Sequence, residues 1–190
     1  MSAQSRPPLP DAVNFISFLQ RYRNDRGALA NLRGSLSEAR RANAWPLLAG
    51  FQGGRAIGSC AHETVAALWA GDAESTARDS LNLGNTLAEL KGDHSSFELR
   101  FKRLLTCDRA EIPRHVTPVV HAAQAKGKPV SYARLLSDLL CWGDDVKVSW
   151  AKAFWGAFEA ENDLNPDLLD SAPATTPTNT AMPDEKEAGT

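Results

Sequence analysis

Apolar residues recur at helical spacing along almost the whole chain, and this pattern excludes most folds. Phe97, Phe101, Leu104 and Leu105 stand at positions i, i+4, i+7 and i+8, which places them on one face of a helix. No segment alternates apolar and polar residues between hairpin turns, as a half-buried strand would. We therefore predict an all-α fold, a compact helical bundle of about eight or nine helices with essentially no sheet.

Capping residues and helix breakers divide the pattern into separate helices. Asp25, Ser131 and Asp144 are placed to cap helices, while Gly34 and Gly127 are placed to end them. Acidic residues also predict caps at Ser95 with Glu98 and at Asp108 with Glu111. The other predicted apolar faces are Val13, Ile16, Leu19 and Tyr22 with Phe15 and Phe18 beside them; Ile57, Cys60, Ala61, Thr64, Val65 and Leu68; and Val146, Trp150, Ala153, Phe154, Ala157 and Phe158.

The length of 190 residues fits one domain of ordinary size or two small ones. We expect a flexible N-terminus over residues 1–10 and a helical domain over 11–161, made of two packed sub-bundles at about 11–90 and 91–161. Residues 162–190 are acidic and rich in Pro and Thr, and they lack aromatic residues. Such a composition cannot bury enough apolar surface to offset its ordering entropy, so it predicts a disordered C-terminal tail.

Cysteine usage and hydropathy predict a cytoplasmic protein. The three cysteines, Cys60, Cys107 and Cys141, are too few and too far apart for a disulfide framework, which fits a reducing compartment. No apolar run approaches the roughly 20 residues that a membrane span needs. The first ten residues show no apolar core of a signal peptide.

Charge is spread unevenly behind a formal net charge of −2. Residues 1–55 and residues 91–134 each carry a net charge of +5, whereas residues 162–190 carry −5. Basic segments of this kind suit a polyanion, because neutralised phosphates release counterions. The alternative is a pair of solvated helix faces with no ligand.

The motifs that begin like catalytic or metal-binding sites are incomplete in this sequence. His62 and Glu63 begin like a zinc-protease motif, but Ala66 stands where the second histidine would be. Cys60 has no further ligand pair, so we predict no metal and a small cysteine packed in the core. A glycine-rich segment at 53–59 has neither a preceding strand nor a following Lys-Ser/Thr, so a loop opening a helix fits it better than a phosphate cradle. We predict no enzyme and no cofactor; a helical hydrolase using His62 or His121 with an unseen partner is a remote alternative.

Arginines on predicted polar faces are the candidate functional residues. Arg26 and Arg33 are seven apart, and Arg100 and Arg103 are three apart, opposite the apolar face of their helix. The planar guanidinium holds phosphate oxygens with two hydrogen bonds, and backbone contacts of this kind are independent of base sequence. The candidate nucleic-acid-binding residues are Arg26, Arg33, Arg40, Arg41, Arg100, Lys102, Arg103, Arg109 and Arg114.

An ordered set of short segments resembles the CasB-type small subunit of the type I-E CRISPR Cascade complex. The resemblance covers about residues 11–160. Its segments are Asp25–Arg33 (DRGALANLR), Thr64–Ala70 (TVAALWA), Ser80–Gly84 (SLNLG), Phe101–Leu105 (FKRLL), Tyr132–Gly143 (YARLLSDLLCWG) and Trp150–Trp155 (WAKAFW).

The resemblance implies a non-catalytic subunit of a crRNA-guided ribonucleoprotein. It implies contacts with the backbone and large Cascade subunits, with a second copy of itself, and with crRNA and target DNA, whose hybrid and displaced strand it would stabilise. The family's basic surface maps onto the candidate residues given above. The alternative from another class is a helical protein-interaction adaptor whose arginines pair with acidic protein surfaces.

Overall fold

The computed structural model describes residues 7–52, 56–75, 79–90 and 95–162, and side chains of residues 95, 96 and 157–162 are outside this description. Within these ranges the chain forms nine α-helices, two 3-10 segments and no strand, which confirms the all-α prediction. The helices are α1 Pro10–Leu19, α2 Arg26–Gly34, α3 Trp45–Leu48, α4 Cys60–Gly71, α5 Leu83–Ala88, α6 Ser95–Thr106, α7 Ile112–Ala125, α8 Tyr132–Leu140 and α9 Asp144–Asn162. The 3-10 segments are Gln20–Tyr22 and Glu38–Ala44.

Helix α4 lies at the centre of the fold. It contacts α2, α7 and α8, and every residue from 62 to 70 is buried. Burial on all sides explains why its apolar residues do not follow one narrow stripe. Two predictions at its start are wrong: Ile57 precedes the helix and is exposed, and Cys60 is exposed in its first turn. The core begins only where α2 and α8 close over the helix.

The buried face of α1 is rotated from the predicted one. Ala12, Phe15, Phe18 and Leu19 are buried, whereas Val13 is 38% exposed. The helix contacts α8, and the ring of Phe15 meets Phe51 edge-on at 5.0 Å between centroids. The aromatic residues therefore decide which side of α1 faces the core, since they bury the largest area.

Helices from both halves of the chain share one hydrophobic core. Helix α5 packs on α9, and α1 packs on α8, so contacts cross residue 90 repeatedly. Phe101 of α6 and Phe154 of α9 lie 4.2 Å apart between ring centroids, and both are fully buried. The division into two packed sub-bundles, at about 11–90 and 91–161, stays a prediction.

Local capping explains several helix ends. Asp25 accepts a hydrogen bond from the backbone N–H of Ala28, and Ser131 accepts one from that of Arg134, which confirms both predicted caps. Gly127 takes a positive φ of 65° directly after α7, as expected of a helix-ending glycine.

Other predicted helix ends differ from the structure. Glu111 precedes α7 without a side-chain capping bond, so the predicted cap at Asp108 and Glu111 is wrong. Asp144 lies inside the first turn of α9 because the carbonyl of Gly143 already accepts from Lys147. The side chain of Ser95, residues 1–6 and the predicted tail beyond Asn162 lie outside the described residues.

Candidate nucleic-acid interface

Six of the predicted arginines are exposed and have no side-chain hydrogen bond or ion pair within the part of the chain that the structure describes. Three belong to the first basic segment and three to the second. A guanidinium without an internal partner keeps its five donors for an external acceptor. The six are Arg26, Arg33, Arg40, Arg100, Arg103 and Arg114.

Arg41 differs from its neighbour Arg40 because it has a buried acidic partner. Its Nε donates to Oε2 of Glu63, which is only 3% exposed, and this hydrogen bond raises the pKa of Arg41 above its ordinary value. The other carboxylate oxygen accepts from Nε1 of Trp45 at 3.1 Å and from the backbone N–H of Gly58 at 2.9 Å. The Glu63 carboxylate thereby connects the Glu38–Ala44 segment, α3 and the turn before α4 through hydrogen bonds.

Two more predicted residues make contacts within the protein. Lys102 pairs with Glu98 on the preceding turn of α6, with 2.8 Å between Nζ and Oε1. Arg109 donates to the backbone carbonyl of Leu140 at the end of α8. Both side chains are exposed, so these contacts restrict them without burying them. Exposed pairs of this kind contribute about 0–1 kcal/mol, and a polyanion can compete with them.

A cavity of about 490 Å³ brings the two basic segments together. Arg41 reaches it from the Glu38–Ala44 segment, and Arg114 reaches it from the first turns of α7. Residues of the first turns of α4 also line it, so we call it the α4–α7 cavity. Arg40 directly precedes Arg41 of the lining, and its Cβ would lie 3.5 Å from a Cβ added to Gly34, which precedes the lining residue Ser35.

The histidine that sequence motifs singled out is part of the core. His62 is 6% exposed, its Nδ1 lies 2.7 Å from Oγ of Ser59, and its ring meets that of Phe15 edge-on at 4.9 Å. Burial lowers the pKa of His62, and the negative charge of Asp11 offsets part of that effect. The described residues contain no group of three or more potential metal ligands. No described helix is long and apolar enough to cross a membrane.

Sequence reasoning missed the acids that neutralise other basic residues. Arg23 pairs with Glu74, and the buried Arg134 pairs with Asp138 at 2.9 Å. The spacing of four residues could have indicated the second pair, since i and i+4 side chains meet on a helix. No local signal indicates the first pair, because Glu74 lies 51 residues further along the chain. The charge totals of the two basic segments therefore overstate the free positive charge.

These features define an all-α protein with exposed arginines in two segments of its chain. Residues 28–155 match the family described as CRISPR-associated protein Cse2, and the chain belongs to this family. The resemblance to the CasB-type small subunit is thereby confirmed. No curated protein matches the chain.

Solved structures show the same fold. CasB from Thermus thermophilus is 29% identical, with a TM-score of 0.64 over 76% of this chain and 97% of that one. CasB from M. ruber is 25% identical, with a TM-score of 0.66 over 81% and 97%. A chain of a CRISPR RNA-guided surveillance complex is 21% identical, with a TM-score of 0.67 over 81% and 96%, which is a likeness of fold alone.

Proposed function

We propose that this protein is a non-catalytic subunit of a crRNA-guided Cascade ribonucleoprotein. It binds the nucleic-acid backbone without sequence preference and stabilises the crRNA–target hybrid and the displaced DNA strand. Its partners are the backbone and large subunits of that complex and a second copy of itself. Family membership supports the assignment to such a complex, and a structural neighbour is itself named as part of a surveillance complex.

The exposed arginines without acidic partners carry the proposal. Six remain available after the internal ion pairs of the described residues are taken into account: Arg26, Arg33, Arg40, Arg100, Arg103 and Arg114. A fixed fork of donors binds phosphate oxygens bidentately, whereas it distinguishes bases only when it reaches a groove edge. Exposed arginines without internal partners therefore suit contacts with phosphates that are independent of sequence.

The placement of the candidate catalytic histidine supports a role without chemistry. The rings of Phe15 and Phe51 lie 4.9 and 6.3 Å from that of His62, so a substrate has no route to it from that side. The other histidine considered, His121, is exposed and lines the α4–α7 cavity. No serine or cysteine within the described residues makes a hydrogen bond to it.

The second candidate is a protein-interaction adaptor. Its arginines would pair with carboxylates of another subunit, using the same donors. This alternative predicts that the purified chain does not bind DNA at any salt concentration, because an adaptor has no affinity for free nucleic acid.

An electrophoretic shift assay with the purified chain separates the two candidates. Unrelated single-stranded DNA sequences are titrated at low and at moderate salt. A phosphate-binding surface shifts all of them with similar affinity, and the affinity falls steeply with salt. The absence of any shift at low salt, in a chain shown to be folded by circular dichroism, would favour the adaptor.

A further inference from the structure

The α4–α7 cavity has a shape that a backbone clamp does not require. One wall is a face of α7 on which Arg114, Pro118 and His121 stand at i, i+4 and i+7. Leu36 and Cys60 also line the cavity. All five side chains are exposed, so the cavity opens directly to solvent beside the free arginines. Its volume lies within the range of ligand pockets.

The charges inside the cavity cancel. Glu63 neutralises Arg41 through their hydrogen bond, and the lining also holds one further carboxylate, Glu38, and one further guanidinium, Arg114. A phosphate group placed inside would therefore gain no net attraction from the charges of the lining. Leu36, together with the prolines of α7, makes much of the remaining lining apolar. The interior suits a neutral, flat group better than an anion.

A nucleobase unstacked from a single strand matches this lining. It is neutral and planar, and its edges carry hydrogen-bond donors and acceptors. The guanidinium of Arg114 and the imidazole of His121 are planar groups on which bases stack in single-strand complexes. Glu38 supplies an acceptor for an exocyclic amino group. Arg33 and Arg40 are exposed, and each lies within two residues of a side chain that lines the cavity, Ser35 or Arg41.

We propose that the α4–α7 cavity takes one unstacked base of a single-stranded nucleic acid while Arg33 and Arg40 hold the neighbouring phosphates. This inference rests on the proposed function and adds a base-binding step to it. Stacking accepts any base, so the cavity does not make binding sequence-specific. It makes binding depend on the presence of bases, which phosphate contacts alone do not.

The test compares a mixed-sequence single-stranded DNA with an abasic strand of the same length and the same number of phosphates. Affinity for the full-length protein is measured by fluorescence anisotropy. We expect the abasic strand to bind about tenfold more weakly, the loss of one favourable stacking contact. A strand carrying 2-aminopurine should brighten on binding as the probe leaves its stacked neighbours. The same sequence as RNA shows whether the base must come from DNA.

Filling the cavity provides the matched comparison. Cys60→Phe adds bulk to the lining without changing charge, and Cys141→Phe makes the same change at the other exposed cysteine. We expect C60F to bind both strands alike, at the affinity of the abasic strand, with an unchanged salt slope. C141F should keep the preference for the base-bearing strand.

Each contrary result has its own meaning. Equal affinity of the wild type for both strands would overturn the base-binding cavity and leave the phosphate-binding function intact. Absence of binding to either strand at low salt would overturn the proposed function itself. Loss of binding to a purified Cascade subunit in C60F, with nucleic-acid binding unchanged, would make the cavity a protein-docking site and overturn the inference. If C60F does not fold, the abasic comparison with the wild type still decides.

Discussion

Gly84 lies directly against the backbone of Trp150, and this contact sets how closely α5 approaches α9. A Cβ at Gly84 would meet the carbonyl oxygen of Trp150 at a distance that real Cβ atoms do not adopt. The indole of Trp150 is fully buried, and its Nε1 donates to Oδ2 of Asp138 at 2.6 Å. Neither side of the contact can therefore move without disturbing the core.

Gly84→Ala should destabilise the protein by about 1–3 kcal/mol, because the added methyl forces α5 away from α9. Gly156→Ala is the matched control, since a Cβ at that position of α9 meets nothing within 4 Å. Removing a glycine from an open helical position should stabilise by up to about 1 kcal/mol. Chemical denaturation of both variants measures the two changes. A neutral Gly84→Ala would show that α5 is loosely packed.

Arg100→Glu combined with Arg103→Glu should weaken nucleic-acid binding and leave the fold intact. Both side chains are exposed on α6, so the cost in stability should stay within about 0.5 kcal/mol for each. The slope of log affinity against log salt should fall by about one unit for each lost phosphate contact, equally for all sequences. Affinity for several DNA sequences over a salt series measures this effect.

The control for that variant reverses the same number of charges elsewhere. Arg21 lies over the ring of Phe18 and Arg23 is paired with Glu74, so Arg21→Glu with Arg23→Glu should reduce DNA affinity less. If the Arg100 and Arg103 variant binds DNA like the wild type, these arginines contact protein partners instead.

Arg40 and Arg41 should give opposite results although they are adjacent. Arg41→Gln leaves the buried carboxylate of Glu63 without its charged partner, which should cost about 1–3 kcal/mol of stability. Arg40→Gln removes an exposed arginine and should lower DNA affinity with almost no change in stability. Unfolding curves of both variants measure the change in stability, and anisotropy titrations measure the change in DNA affinity. Equal loss of affinity without loss of stability at both positions would contradict it.

Stability should fall as the pH drops through about 6.5, because His62 must become protonated as the protein unfolds. Its pKa is lowered in the fold by burial and partly restored by Asp11, so the unfolded chain binds the proton more readily. The group stabilises the fold above the unfolded pKa, and this contribution is lost in acid, by at most about 1.4 kcal/mol per pH unit. Unfolding free energies of the wild type and of His62→Gln, measured across this pH range, test the predicted pH dependence.

Removing residues 163–190 should leave the melting temperature nearly unchanged and should not weaken DNA binding. These residues carry a net charge of −5 and few core-forming side chains, whereas residues 1–161 carry +3. Competition between the acidic segment and the arginines would make the shortened chain bind more tightly. A fall in melting temperature of more than about 4 °C, roughly 1 kcal/mol, would show that the segment packs on the domain.

The helices and several of their ends were predictable from the sequence, because they depend on residues three or four positions apart. Asp25 caps α2 through Ala28, and Ser131 caps α8 through Arg134, whatever the rest of the chain does. Family membership was predictable for a related reason: the short segments that carry it lie in a fixed order along the chain.

Tertiary structure alone decided which basic residues are free. Arg40 and Arg41 are equivalent in the sequence, yet only Arg41 meets Glu63, 22 residues further on, because α4 brings that carboxylate beneath it. The spacing of Cys60 predicts a core residue, but Cys60 is exposed because none of the described helices covers the first turn of α4. The meeting of Arg41 with Arg114 across one cavity likewise depends on how α7 packs on α4. Charge pairing and exposure are set by neighbours distant in the chain, and periodicity carries no information about those neighbours.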